Sequence, residues 1–120
     1  MWRAAHHHLI HPVLLAKVVA AESHCRPGVV NRRSGAVGLG QVLRGRSADP
    51  AGHTVDELKG VDLNLYLTAA HIARCLVLCN ENEQGAISVY NGGSKKCRAT
   101  DWSRWVLHGL WHARLKLRRS

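Results

Sequence analysis

The sequence predicts an all-α fold, and two observations carry that prediction. Three stretches repeat apolar residues at helical spacing, and helix start and stop signals fall near their ends. Leu15, Val18 and Val19 lie seven, four and three residues before Glu22, so these four side chains share one helical face. Leu65, Ala69, Ile72, Leu76 and Cys79 form a second stripe. Trp102, Trp105, Val106, Gly109, Leu110, Ala113 and Leu117 form a third.

Taken in order, His6, His7, His8 and His11 have no neighbouring Cys or Asp to complete a spaced ligand set, and read as a frayed terminus rather than a metal site. Pro12 suits the first turn of a helix that runs to about His24. Pro27 disfavours helical geometry at the residue before it, which stops that helix by Arg26. A short helix is expected around Gln41 to Leu43, and residues 44–53 read as loop. Thr54 and Glu57 have the spacing of a capping box for a short helix ending near Gly60. Asp62 is expected to cap the longest helix, which reaches about Cys79 and serves as the central one. Asn64, Thr68 and His71 fall on its more polar side. Asn82 is expected to cap a helix reaching Tyr90, and Asn91-Gly92-Gly93 then turns the chain. The last helix starts near Thr100 or Asp101, and Trp111 beside its stripe reads as partly buried core rather than a sugar platform.

A chain of 120 residues supports one domain with a modest core. No stretch approaches the ~20 apolar residues of a membrane span. The net charge of +9 points to an anionic partner. For the tail from Arg114 to Arg119, a solvated basic surface is the plainer reading. The four cysteines, Cys25, Cys75, Cys79 and Cys97, permit three pairings in an oxidising compartment. Cys75 and Cys79, four apart on one helix, suit disulfide geometry poorly. With His71 they would put three ligands on a single helix, which cannot surround zinc. Buried thiols are the default; the alternative is that Cys79 and Cys97 pair and brace the intervening Tyr90–Gly93 segment.

Chemistry enters with Glu22. A carboxylate on a buried stripe, near the negative end of a helix dipole, has its pKa raised. A general acid at neutral pH needs that property. Position alone fits equally well a Glu at the rim of the core paired with an arginine. Downstream, Ser34-Gly35-Ala36-Val37-Gly38-Leu39-Gly40-Gln41 carries three closely spaced glycines, where backbone can approach a ligand closely. No other Asp or Glu falls in these segments or beside Tyr90-Asn91. Asp49, Asp56, Glu57, Asp62, Glu81, Glu83 and Asp101 all fit caps or exposed loops.

Glu22-Ser23, then Pro27, then the Ser34–Gln41 segment, then Ala86-Ile87-Ser88-Val89-Tyr90-Asn91-Gly92-Gly93 resemble the motifs of the lytic transglycosylases, with Asp62–Leu67 similar to that family's helix-opening segment. The resemblance covers roughly residues 12–110. It implies a lysozyme-like single domain over residues 1–120 that cleaves the glycan strands of peptidoglycan at the β-1,4 bond between N-acetylmuramic acid and N-acetylglucosamine, with no cofactor or metal. It implies Glu22 as the catalytic acid and then base, with the substrate's N-acetyl group assisting. The sugar's 6-hydroxyl then closes on its own ring, leaving a 1,6-anhydro end. Gln41 and Asn91 are implied to bind substrate, and the Tyr90 hydroxyl to position Glu22 or the reacting sugar. Three departures from the family pattern stand out: Gly40 replaces the usual Met before the Gln, Leu43-Arg44 replaces Met-Pro, and Asn31 replaces a loop Ser, for which Ser34 is a candidate stand-in.

The alternatives are a lysozyme-type hydrolase and a non-catalytic basic module binding peptidoglycan or nucleic acid. Glu22 argues against a mere wall binder, and the Tyr90-Asn91 motif against nucleic acid. Action on peptidoglycan places the protein in the periplasm or cell wall. The first residues do not resemble a secretory leader, which leaves a leader outside this stretch, a virion, a holin lesion or a secretion apparatus as the route. Nothing in the sequence sets the oligomeric state.

Overall fold

In the computed structural model the described residues are 2–92 and 96–108. Helices α1 (Trp2–His7), α2 (Pro12–Ser23), α3 (Val55–Leu58), α4 (Val61–Leu78) and α5 (Glu83–Asn91) are followed by a sixth, α6, through residues 101–108. Isolated bridges occur, but no strand forms among the described residues, and the all-α prediction holds. The chain divides into two compact units, Met1–Ala73 and Arg74–Ser120, with the boundary inside α4.

In the first unit, the histidine-rich start is helix rather than frayed end. Ala4, Ala5 and Ile10 are buried, and α1 packs on α2. His7 and His8 gather on Tyr66, whose hydroxyl lies 3.2 Å from His7 Nε2. Pro12 opens α2 as expected, with His11 Nδ1 accepting the Val13 N–H at 3.1 Å. The helix ends at Ser23 because His24 and Cys25 both turn left-handed, at φ 55° and 60°, before Pro27 is reached. The Thr54–Glu57 capping box forms in full. Val37, Val42, Ala48 and Leu58 make a small core of their own under Val55 and Leu67.

Two expectations fail here. Residues 41–43 are not helical; Val42 bridges Val37 and closes a tight turn. Asp62 does not cap α4, which begins at Val61 and carries Asp62 in its first turn, where a negative charge still favours the helix dipole. The α4 stripe itself is as predicted, with Leu65, Ala69, Ile72, Leu76 and Cys79 all buried. By length and mean hydropathy (18 residues, 1.3) α4 is apolar enough to cross a membrane, contrary to expectation, yet it buries hydrogen-bonded Asn64 and Thr68 as well as its stripe.

Asp49, expected in an exposed loop, is inaccessible to water. The 44–53 loop itself closes over it, rather than depth in the core. Burial alone would raise its pKa, but the His53 ring Nδ1 at 2.6 Å, the His53 N–H at 2.8 Å and the Gly45 N–H outweigh that and hold it below the ordinary carboxylate value. Arg44 Nε donates to the His53 carbonyl and closes the same loop.

In the second unit, Asn82 caps α5 as predicted, accepting the Gly85 N–H at 2.9 Å. Thr100 and Ser103 cap α6 reciprocally: each side-chain oxygen accepts the other's backbone N–H, at 3.1 and 2.8 Å. Ser103 also donates to Gln84 Oε1 and Ser88 to Thr100 Oγ1, which ties α5 to the start of α6. Cys79 and Cys97 form a disulfide, the pairing weighed above. The Cys97 backbone lies so close to Gly85 that a Cβ there would stand 2.7 Å from the Cys97 carbonyl oxygen. Cys75 is buried, and burial pushes its thiol up to about 11, so it remains protonated and inert toward that disulfide. In α6, Val106 is buried and Trp102 and Trp105 are half-buried; the rest of the predicted stripe, Trp111 and the basic tail lie outside the described residues.

Candidate active site

Glu22 occupies the last turn of α2, one residue before its end, with Leu15, Val18 and Val19 of the same face fully buried. Its own side chain is half-buried. Removal from water raises its carboxyl pKa from 4.5 to about 7. A carboxyl poised there exists in both protonation states near neutral pH, so it can give a proton and take one back. A raised value is what the position of Glu22 on a buried stripe predicts. The alternative, a Glu paired with an arginine, would have lowered the value instead.

The glycine-rich segment follows in the same unit. Asn31 opens it as an Asx turn: its Oδ1 accepts the Arg33 and Ser34 N–H groups at 2.9 and 3.1 Å. Asn31, where the resembled family has Ser, is thus committed to shaping the loop. Ser34 is exposed and its Oγ accepts the Ala36 N–H at 3.1 Å, which leaves its O–H available to donate outward. The backbone then crosses itself through the Val30–Val37 and Val37–Val42 bridges. Gln41 stands at the far side with φ 53°, a left-handed conformation that costs a non-glycine residue roughly 1–2 kcal/mol. Its Nε2 donates to the carbonyls of Gly38 at 3.1 Å and Val29 at 3.3 Å. The fold therefore brings Gln41 against the chain that leaves α2, seven residues after Glu22.

Two of the three glycines, Gly38 and Gly40, make room for a helix, while a Cβ on Gly35 would meet nothing within 4 Å. A Cβ on Gly40 would stand 1.8 Å from Thr68 Oγ1, and one on Gly38 2.4 Å from Asn64 Nδ2. What approaches the backbone at Gly38 and Gly40 is α4. Asn64 and Thr68, read as the polar side of the central helix, are buried. Asn64 Oδ1 accepts the Gly40 N–H at 2.9 Å and the Thr68 hydroxyl at 3.2 Å, while Nδ2 donates to the carbonyls of Val37 and Leu58 at 2.9 and 2.7 Å. These two residues were missed because an Asn and a Thr four apart look like a solvated helix face. The signal was the glycine pair itself, which marks a place where another group comes close to the backbone.

Tyr90 and Asn91 end α5 in the second unit, and Gly92 caps the helix at φ 75°. Tyr90 is half-buried and Asn91 exposed. Among the described residues, no group of three or more His, Cys, Asp or Glu is placed to hold a metal ion.

Comparison with curated proteins and with solved structures found no match. The family model described as "Transglycosylase SLT domain" matches residues 2–104, which include Glu22, the Asn31–Gln41 turn, Asn64 and Tyr90-Asn91. This chain belongs to the transglycosylase SLT domain family, a lytic transglycosylase-type domain of lysozyme-like fold that acts on peptidoglycan.

Proposed function

We propose that the protein cleaves the β-1,4 bond between N-acetylmuramic acid and N-acetylglucosamine in peptidoglycan without adding water, leaving 1,6-anhydromuramoyl ends. The observation that carries this is a carboxyl of pKa about 7 at Glu22, the one carboxyl of its unit that burial raises toward neutrality. Asp49 is enclosed and bound to His53, Glu57 is engaged in a helix cap, and Asp56 and Asp62 are exposed in the first turns of α3 and α4.

Breaking a glycosidic bond requires a proton on the departing oxygen and stabilisation of an oxocarbenium-like centre. Protonated Glu22 delivers the proton, and the substrate's own N-acetyl oxygen stabilises the centre. Glu22, now a carboxylate, accepts the proton of the sugar's 6-hydroxyl as that oxygen bonds to the anomeric carbon. The nucleophile is tethered to the reacting ring, so its effective concentration far exceeds that of a loosely held water. An inverting hydrolase would instead need a base on the opposite face of the sugar. Gln41, Ser34, Tyr90 and Asn91 are the residues we assign to glycan binding. Such a substrate places the working protein at the cell wall, and in a Gram-negative cell in the periplasm, where the Cys79–Cys97 disulfide is also at home.

Digestion of purified cell walls in heavy-oxygen water tests the reaction type. The expected new ends are unlabelled and lighter by one water than hydrolytic products; label at new reducing ends would make the protein a lysozyme-type hydrolase.

A further inference from the structure

We infer that Asn64 is a positioning residue for Gln41: it locks the Val37–Gln41 turn so that Gln41 Oε1 faces outward as an acceptor reserved for an N–H or O–H of the bound sugar. The identity of that ligand rests on the glycan-cleaving reading above; the coupling between the two residues does not.

The chain of contacts is short. Asn64 is buried, and its amide makes four hydrogen bonds, two as acceptor and two as donor, with Val37, Gly40, Leu58 and Thr68. Val37 and Gly40 bracket Gly38, so both sides of that residue are tied to one side chain on α4. The Gly38 carbonyl, fixed in this way, receives the Gln41 amide at 3.1 Å, and the Val29 carbonyl receives it at 3.3 Å. Both neighbours are carbonyl oxygens, which only accept, so the NH2 end of Gln41 must face them. Its hydrogens are then both engaged, and the outward oxygen is left with acceptor capacity alone. Gln41 accordingly selects for a donor on the ligand: an acetamido N–H or a sugar hydroxyl satisfies it, whereas an ether or ester oxygen at that point would face it unpaired.

The test has two parts on the full chain with its disulfide intact. In a nitrogen-15 NMR spectrum of the free protein, the Gln41 side-chain NH2 pair should shift in Asn64→Asp, which replaces the donors to Val37 and Leu58 by an acceptor. If that variant does not fold, Thr68→Val, which removes only the hydroxyl donated to Asn64, should shift the same pair by a smaller amount. A Gln41 pair unmoved in the folded variant would overturn the inference. The second part measures co-sedimentation with insoluble peptidoglycan in a Glu22→Gln background, where no turnover occurs. Gln41→Ala should weaken binding about tenfold, the worth of one hydrogen bond. Asn64→Asp (or Thr68→Val in its place) should weaken binding by no more than that, and should add nothing to Gln41→Ala. Independent losses that multiply in the double variant would mean a merely structural role and overturn the inference. A parent that ignores peptidoglycan while the NMR coupling persists would overturn the glycan ligand and uphold Asn64 as the residue that positions Gln41.

Discussion

Replacing Glu22 by Gln should abolish glycan cleavage and, at the same time, stabilise the fold at alkaline pH. The carboxyl titrates near 4.5 when exposed and at about 7 in the folded chain, because the protein withdraws it from water. The folded state therefore holds this proton more tightly than the unfolded state. The stability linked to it is fully present below about pH 4.5 and is lost as pH rises through 7. A pKa difference of about 2.5 corresponds to about 3 kcal/mol, the cost of keeping an ionised carboxylate in that site. Gln escapes this cost because it cannot ionise. The variant should thus be more stable than the parent by about 3 kcal/mol near pH 8, and by only about 1 kcal/mol near pH 5. Urea unfolding of both proteins at the two pH values measures the difference. Turbidity loss of cell walls should fall at least ~100-fold in the variant, and in the parent it should decline about tenfold per pH unit above pH 7 as the acid form is depleted. An equal stability difference at both pH values would refute the desolvation argument, and near-full lytic activity in the variant would refute the catalytic assignment.

Two further outcomes follow from close contacts. Gly40→Ala drives a Cβ to within 1.8 Å of Thr68 Oγ1 and should destabilise the first unit by about 2 kcal/mol or more. Adding Thr68→Gly to the same chain should recover most of that loss, less about 1 kcal/mol for glycine inside a helix; an unchanged melting temperature for Gly40→Ala alone would show the packing reading to be wrong. Cys97→Ser opens a disulfide that spans 18 residues and should cost about 3 kcal/mol in the chain-entropy account. Peptide mapping without reductant should recover the Cys79–Cys97 link, and identical melting with and without dithiothreitol would count against the brace.

Helix identities were legible in the sequence because each rests on local chemistry. Thr54 and Glu57, Asn82, Pro12 and the α4 stripe satisfy backbone groups or hide apolar surface within a few residues of themselves, so spacing alone reveals them. The direction of the Glu22 shift was legible for the same reason. What was not legible depends on partners distant in the chain. Asp49 looked like a loop residue because nothing in its neighbourhood announces that the loop folds over it and brings the His53 ring to 2.6 Å. The α1 histidines looked frayed because their partner, Tyr66, lies 59 residues from His7. A glycine pair is ambiguous in principle: it states that something approaches the backbone, not what. Here the approaching groups are Asn64 and Thr68, 24 or more residues away.

The conformation of Gln41 supplies an argument for the site that does not pass through family resemblance. Among the described residues, six other than glycine have positive φ: Leu9, His24, Cys25, Gln41, Asn80 and Glu81. Leu9 follows α1, His24 and Cys25 follow α2, and Asn80 and Glu81 follow α4, so five of the six lie just past a helix end. There, a left-handed residue is the ordinary way to satisfy the last carbonyls. Gln41 ends no helix. It sits in a turn between two bridged valines, beside glycines that adopt positive φ without cost, at a position where glycine would be the more stable choice. A side chain kept against that preference needs a reason outside backbone stability. Its NH2 group offsets part of that strain through the carbonyls of Gly38 and Val29. The Glu22 carboxyl, whose ionised form costs the folded state about 3 kcal/mol at alkaline pH, makes the same point by a different physical route. Two residues of one unit each hold the fold below its attainable stability, Gln41 through its backbone and Glu22 through its carboxyl.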